Sequence, residues 1–443
     1  MCGGRRRAVV AQTSAREDFT GGYVRRIIDD ELDVLVPELP AVLLDGPKGV
    51  GKTETALQRC ITTRRLDDPG QLEIVQADPM LALEGEPPVL LDEWQRAPAV
   101  WDAVKRQVDA DSSGGRFLLT GSAPYGEQQT HSGAGRIATL RMRPLTLPER
   151  GVSTPTVSLK HLLTGERAPL AGTSQVTLGG YVTEILASGF PGLRHLSDRG
   201  LRTQLDGYLA RIVDRDLVEA GYKVRRPATV MAWLRAYGAA TATTASYEKI
   251  RDAATSGGAD KPAKTTTLPY IEVLTALRIL DPMPAWVPSL NRLARLTQAP
   301  KHHLADPALA VRLLGLGRAA LLAGESGLVE LPRDGSFLGA VFESLATMSV
   351  RVFAQAAEAD VYHLRAQAGR REVDVIVERD DGGIVALEVK LSPAIDDGDV
   401  THLRWLRDQL GDRLLDAAVV STGAQAYRRS DGIGVVPLAL LGP

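Results

Sequence analysis

Cysteine is almost absent: the 443-residue chain has only Cys2 and Cys60. Neither falls in a metal-ligand or disulfide spacing. That excludes a disulfide-stapled scaffold and fits a reducing, cytoplasmic setting. A strong charge of either sign is also missing, since the formal net charge is −2. The chain as a whole is therefore no polyanion binder, and any nucleic-acid surface must be a local patch. No long apolar run survives inspection. The most apolar stretch, Ala308–Ala323, is interrupted by Arg312 and Arg318, which argues against a membrane span. The basic start MCGGRRR is not followed by the apolar core of a signal peptide. Aromatic residues make up 5%, and Trp233, Trp286 and Trp405 read as packing anchors rather than stacking platforms. Lysine is scarce beside arginine (10 against 42), which reads as genomic bias.

What is present is an alternation of strand and helix patterns. After a leader over residues 1–20, the segment 21–150 holds the apolar runs AVLLD, PPVLLDE and RFLLTGS between helix-forming stretches. That order predicts an α/β unit with a parallel, helix-covered sheet. Residues 151–177 are polar and read as a connector. Helical patterns dominate 178–330. The remainder, 331–443, mixes a helix with short strands and predicts a small α/β domain.

The sharpest signal is LLDGPKGVGKTETA, Leu43–Ala56. A buried-strand run ends in Gly46, Pro47, Lys48, Gly49, Val50, Gly51, Lys52, Thr53 and Glu54, and a helix follows. This is the phosphate-loop pattern in the context it requires. Glycines let main-chain amides wrap phosphate oxygens. Lys52 neutralises the β- and γ-phosphates, and the Thr53 hydroxyl is placed to ligate Mg2+. A second half follows: Val89–Leu91 leads into Asp92, expected on the Mg2+ shell, and Glu93, expected as the base that polarises water. Phe117–Leu119 ends in Thr120, expected to sense the γ-phosphate. Arg136 is the candidate for positive charge from outside the loop, within its own subunit or across to a neighbour. The sequence thus predicts a P-loop NTPase that holds a nucleoside triphosphate with Mg2+ and hydrolyses it.

Together with Tyr23-x-x-Arg26, LLDEWQRAP, FLLTGSA, GAGRIATLRMRPLTLPE, EILASGFPG, YLARIVDRDL, PKHHLADPALA and LGAVFESL, these motifs resemble the prokaryotic AAA+ ATPases that carry a C-terminal domain of unknown function 4143. The resemblance spans nearly the whole chain. It implies ATP binding and hydrolysis, and a ring is the usual arrangement of such ATPases, so a homo-oligomer is an expected partner. Lys48 stands where an arginine is expected, and Trp94 where a smaller apolar residue is usual.

Two further expectations concern nucleic acid. Helical patterns at Thr229–Thr241, Ser246–Thr255 (with Ser246 as N-cap) and Thr266–Leu280 predict a winged helix-turn-helix. In the third, Leu268, Ile271, Leu274 and Leu277 are expected to face inward, leaving Tyr270 and the N-terminal threonines for a DNA groove. Residues 261–303 carry six Lys/Arg against two Asp/Glu, the patch expected to touch DNA; a packing module with a solvated basic face reads equally well. Near the end, Asp374, Glu388 and Lys390, with Glu343 on a helix, resemble a PD-(D/E)XK nuclease centre in a restriction-endonuclease-like domain. There Asp374 and Glu388 would hold Mg2+; a surface salt-bridge set on a hairpin is the competing reading. His302 and His303 are adjacent and read as surface or interface residues. Asp214–Asp216 reads as a salt-bridging helix segment.

Overall fold

The computed structural model describes residues 22–121, 134–222, 224–254, 264–287, 298–323, 337–366 and 369–443. The expected leader, 1–20, lies outside them. The first unit runs α1 (Ile28–Glu38), β1 (Ala41–Asp45), α2 (Lys52–Leu57), β2 (Thr62–Arg65), α3 (Pro69–Ala77), β3 (Val89–Asp92), α4 (Ala99–Ala110), β4 (Phe117–Gly121) and β5 (Ala138–Arg141). All five strands are parallel, in the order β2-β3-β4-β1-β5. β1, β3 and β4 are buried along their whole length, which is why they read as unbroken apolar runs. Successive side chains alternate between two cores. Ala41, Leu43, Leu91 and Leu119 pack with Trp94, Val100 and Val104 on the α4 side. Val42, Leu44, Leu90 and Leu118 face a second core, which continues without a break into the rest of the molecule. Asp92 lies beside Thr120, and Asp45 beside Gly121, so the polar strand ends share the carboxyl edge. Ligands of open α/β sheets bind at that edge, where the strand order reverses.

The chain then forms β6 (Val157–Ser158), α5 (Leu159–Leu162), α6 (Leu178–Ala187), α7 (Asp198–Arg211), a π-helical turn over Ile212–Asp216, α8 (Leu217–Glu219), α9 (Pro227–Ala239), α10 (Tyr247–Ala253), α11 (Lys264–Ala276), α12 (Pro307–Leu313) and α13 (Arg318–Leu322). Side-chain caps fix several starts: Thr177, Ser197 and the expected Ser246 each accept from a backbone amide three residues on. The last part is α14 (Phe337–Ala356), β7 (Asp360–Ala366), β8 (Arg371–Glu378), β9 (Ile384–Lys390), α15 (Thr401–Leu410), β10 (Leu414–Ser421), β11 (Tyr427–Arg428), β12 (Gly434–Pro437) and β13 (Leu441–Gly442). Six of these strands form a mixed sheet, β11-β12-β10-β9-β8-β7, with α14 and α15 packed on it.

The segment expected as a connector, 151–177, is instead part of the C-terminal body. β6 pairs in parallel with β13, Thr173 bridges Gln425, and Arg167 donates to the carbonyls of Leu414 and Leu415. Its polar side chains satisfy strand-edge and loop carbonyls, a use that composition alone does not reveal.

The middle helices correct the sequence in one respect. In α11 the inward face is Tyr270, Val273, Leu274 and Leu277, whereas Leu268 is 49% exposed and Ile271 only half-buried. The spacing 270, 273/274, 277 keeps to one side of a 3.6-residue helix, and the expected run of threes drifts around it. Tyr270 packs edge-on against Tyr222 and Trp233, so it is core rather than groove-facing. After α11, antiparallel bridges join Leu280 to Leu304 and Met283 to Lys301.

Candidate functional site

β1 hands the chain to a loop that only glycine can complete. Gly49 and Gly51 sit at φ 79° and 102°, in the left-handed region. A Cβ on Gly46 would lie 2.4 Å from the Met142 carbonyl oxygen. Lys52 opens α2 with its side chain folded back, donating to the carbonyls of Gly46 (2.7 Å) and Pro47 (3.1 Å). It is only 7% exposed, and burial pushes its ammonium down to about 8. A buried ammonium held by two loop carbonyls is a cation stored under the loop.

The second half of the site meets the first at one carboxylate. Thr53 Oγ1 donates to Asp92 Oδ1 at 2.8 Å, and the Thr120 hydroxyl donates to the same oxygen. Three residues read from three separate motifs thus converge, because β1, β3 and β4 are neighbours in register. Glu93 follows Asp92 with φ 57°, a strained value for a non-glycine residue. Its carboxylate accepts from the Gln95 side-chain amide. Thr53 and Asp92 could hold a metal, and Glu93 stands next in line on the same edge.

Beside the loop is a pocket of about 500 Å3, lined by Tyr23, Gly51, Glu54, Thr55, Leu145 and Pro191 among others. Tyr23 donates to Asp29 Oδ2 (2.6 Å), and its hydroxyl also bonds Thr55 (3.1 Å), pinning the N-terminal segment against α2. Arg26 does the heavier tethering: it pairs with Glu149 at 2.9 Å and donates to the carbonyls of Val50 (3.0 Å) and Arg143 (2.7 Å). Glu149 also accepts from the amides of Ile27 and Thr146. Sequence reading quoted Arg26 as a marker without giving it this role.

Lys48, the unusual loop residue, points away from the pocket. It pairs with Asp216 (2.7 Å) and Glu219 (3.0 Å), and its carbonyl accepts from the Tyr208 hydroxyl (3.1 Å). The expected salt-bridging role of the 214–216 segment is therefore a bond to the phosphate loop itself.

The role of Arg136 within its own subunit is corrected. It precedes β5 and pairs with Asp109 near the end of α4. In a parallel sheet both positions lie at the amino edge, across the sheet from the loop. Arg136 therefore cannot reach its own subunit's phosphates. The arginines at the carboxyl edge are others. Arg141 ends β5 and Arg278 comes from the helical region, 3.6 Å and 2.6 Å from Asp45 Oδ2. Next to them, Asp281 binds Arg143 (2.9 Å) and Arg351 of α14 (3.0 Å). Burial opposes ionisation there, yet Arg143 and Arg351 hold the Asp281 carboxyl well below the usual range. Arg141 and Arg143 lie within the motif GAGRIATLRMRPLTLPE, where the role is expected of Arg136 alone; the sign was a strand end rich in arginine.

The nuclease-like residues converge too, around an unexpected centre. Glu343 of α14 and Asp374 of β8 meet on Lys301 Nζ at 2.8 and 3.0 Å, with Glu372 at 3.4 Å. Lys390 pairs with Glu388 at 3.0 Å, and the Val389 amide donates to Asp374 Oδ2 at 2.9 Å. Burial pushes the carboxyls of Glu343 and Glu388 up. An ammonium sits on Asp374, one of the two carboxylates expected to hold Mg2+, and among the described residues no group of three His, Cys, Asp or Glu is arranged to hold a metal ion. Lys301 is 1% exposed and Arg278 is bound to Asp45. Of the six basic residues expected to face DNA, Lys301 is thus buried and Arg278, 34% exposed, is paired with Asp45, and Lys261, Arg292 and Arg295 lie outside the described residues. The side chain of the sixth, Lys264, is not described either. His302 and His303 are buried rather than on the surface: His302 bonds the Ala245 carbonyl and His303 bonds Ser344. Trp233 and Trp286 are fully buried packing anchors, and Trp405 is half-buried beneath Arg371.

Residues 38–150 match the family model described as an AAA domain, and residues 338–441 match the domain of unknown function DUF4143. The chain thus carries an AAA domain followed by a C-terminal DUF4143 domain. Between these units, residues 179–320 of this AAA–DUF4143 protein match a further domain of unknown function, DUF8612. It is similar to uncharacterised proteins of Mycobacterium tuberculosis and Mycobacterium bovis, each 27% identical over 411 residues that cover 90% of this chain and 80% of the relative. Among solved structures, it is similar to a Walker-type ATPase of Pyrococcus abyssi at 18% identity and a TM-score of 0.37, over 65% of this chain and 95% of that one. The AAA match and the loop geometry together identify a P-loop α/β unit of ATPase type.

Proposed function

We propose that the chain binds ATP with Mg2+ at the carboxyl edge of the five-stranded sheet and hydrolyses it to ADP and phosphate. The observation that carries this is the meeting of Thr53 and Thr120 on one Asp92 oxygen, above the buried Lys52 ammonium. The residues fit the metal: a hydroxyl and a carboxylate already 2.8 Å apart supply hard oxygen donors of the kind Mg2+ selects. When bound there, Mg2+ would neutralise charge on the β- and γ-phosphate oxygens.

The chain's own groups do the rest. Amides of Gly49 to Thr53 face the phosphates, and Lys52 exchanges its two carbonyl partners for phosphate oxygens. Glu93 orients the attacking water and takes its proton, once Gln95 releases its carboxylate. Thr120 reports whether the γ-phosphate is in place. The 500 Å3 pocket beside Gly51 and Thr55 takes the nucleoside; adenine is the base that the AAA match favours. Titration calorimetry with ATP, ADP and GTP tests the reading. The expected result is adenine-nucleotide binding that Lys52→Ala abolishes. Failure of the folded wild-type chain to bind any nucleotide would remove it.

A further inference from the structure

Lys301 is placed as few lysines are. Its ammonium touches three carboxylates, from α14 (Glu343) and β8 (Glu372 and Asp374), and its side chain is 1% exposed. Its main chain is equally fixed: the Lys301 amide donates to Met283 and the Met283 amide to Lys301, at 2.9 and 2.8 Å. The lysine therefore comes from the bridged segments Leu280–Met283 and Lys301–Leu304 of the helical region. The carboxylates belong to the C-terminal domain. On the other side of Asp374 lies Glu388, itself 5% exposed, whose Oε2 is buried with no hydrogen-bond partner. Four acidic side chains thus gather around two lysines, Lys301 and the Lys390 that pairs with Glu388, with the His402 ring 3.9 Å from Glu388.

Charge decides what such a cluster can hold. A carboxyl this deeply buried either keeps its proton or pairs with a cation, because an uncompensated buried charge costs several kcal/mol. A divalent ion and the Lys301 ammonium cannot occupy the same place between Glu343 and Asp374, since both need the same oxygen lone pairs. We propose that Lys301 is a tethered counter-ion that closes the C-terminal carboxylate cluster to divalent metal. In this arrangement the cluster joins the helical region to the C-terminal domain instead of cutting a phosphodiester. Removing the lysine leaves Glu343, Asp374 and the unpartnered oxygen of Glu388 to accept a divalent cation. This inference is independent of nucleotide binding at the phosphate loop.

The test is Mn2+ binding to the full chain without nucleotide, read by electron paramagnetic resonance, with DNA cleavage in Mn2+ measured in parallel. Wild type is expected to show no Mn2+ that depends on Asp374 and no cleavage. Lys301→Ala is expected to gain one Mn2+ per chain, lost again in the Lys301→Ala, Asp374→Asn double variant. That subtraction separates this cluster from any Mn2+ near Asp92. Two results overturn the proposal: Mn2+ on wild type that Asp374→Asn removes, or a folded Lys301→Ala chain that gains none. If Lys301→Ala fails to fold, Lys301→Gln keeps a donor of similar length and is read against the same two outcomes. The wild-type comparison stands whether or not either variant folds.

Discussion

Replacing Arg26 with methionine gives the most demanding test of how the nucleotide site is held. The guanidinium is buried and serves Glu149, the Val50 carbonyl and the Arg143 carbonyl at once. Methionine fills much of the volume but leaves the Glu149 carboxylate buried with only neutral donors, from Ile27 and Thr146. Breaking a buried pair by removing one partner costs about 3–5 kcal/mol. A unit of this size loses roughly 3–5 °C of melting temperature per kcal/mol, so the first unit should melt roughly 10–20 °C earlier. Arg26→Lys should not rescue it, because one ammonium cannot span three acceptors set in a planar fork. The neighbouring Arg25, an exposed arginine paired with Asp30 and Asp33, provides the control. Arg25→Met should leave the melting temperature nearly unchanged, because exposed pairs are screened by solvent. Scanning calorimetry resolves the transitions, and a nucleotide titration shows whether the pocket beside Tyr23 loosens with them. If Arg26→Met and Arg25→Met melt together, the buried pair is not what fastens the N-terminal segment to the phosphate loop.

Glu93→Gln should bind ATP about as well as wild type while phosphate release falls on the order of 100-fold or more; unchanged turnover would assign the base elsewhere. Asp216→Asn should weaken the hold on Lys48 without touching the phosphates, so a shifted KM for ATP with kcat retained is expected in a steady-state phosphate assay. Acid should destabilise the C-terminal domain through His363, whose ring bonds the Ala299 carbonyl and whose buried position pushes it down to about 4. The native state resists a proton that the unfolded chain takes up from about pH 6.5. Stability is therefore complete above that pH and falls progressively as pH drops towards 4, by about 3 kcal/mol in all. Urea midpoints at pH 7 and 4.5 should converge in His363→Gln relative to wild type.

The phosphate site was legible because each of its parts is a short motif at the end of a strand. Lys52, Thr53, Asp92 and Thr120 are fixed by parallel neighbours, and parallel register brings strand ends together automatically. The expectation that Arg136 serves its own subunit failed for the converse reason. A loop arginine in sequence carries no mark of which edge it will sit on, and only its position before β5 decides that. In α11 the pattern of threes picked Leu268, where helical geometry needed Tyr270. Lys301 was counted as surface charge, since nothing local distinguishes a solvated lysine from one swallowed by carboxylates 42 and 73 residues away. The polar segment 151–177 looked like a spacer because strand-edge docking uses polar residues just as a solvated loop does.

Asp281 has a consequence for any working cycle. One buried anion is gripped by arginines from two different parts of the chain, while its own backbone belongs to a third. A swing of the helical region away from the sheet must abandon Arg143, and a tilt of α14 must abandon Arg351. Either departure removes one of the arginines that neutralise this largely buried carboxylate. Motion that spares both contacts turns the three parts about this point together, so the carboxylate acts as a pivot.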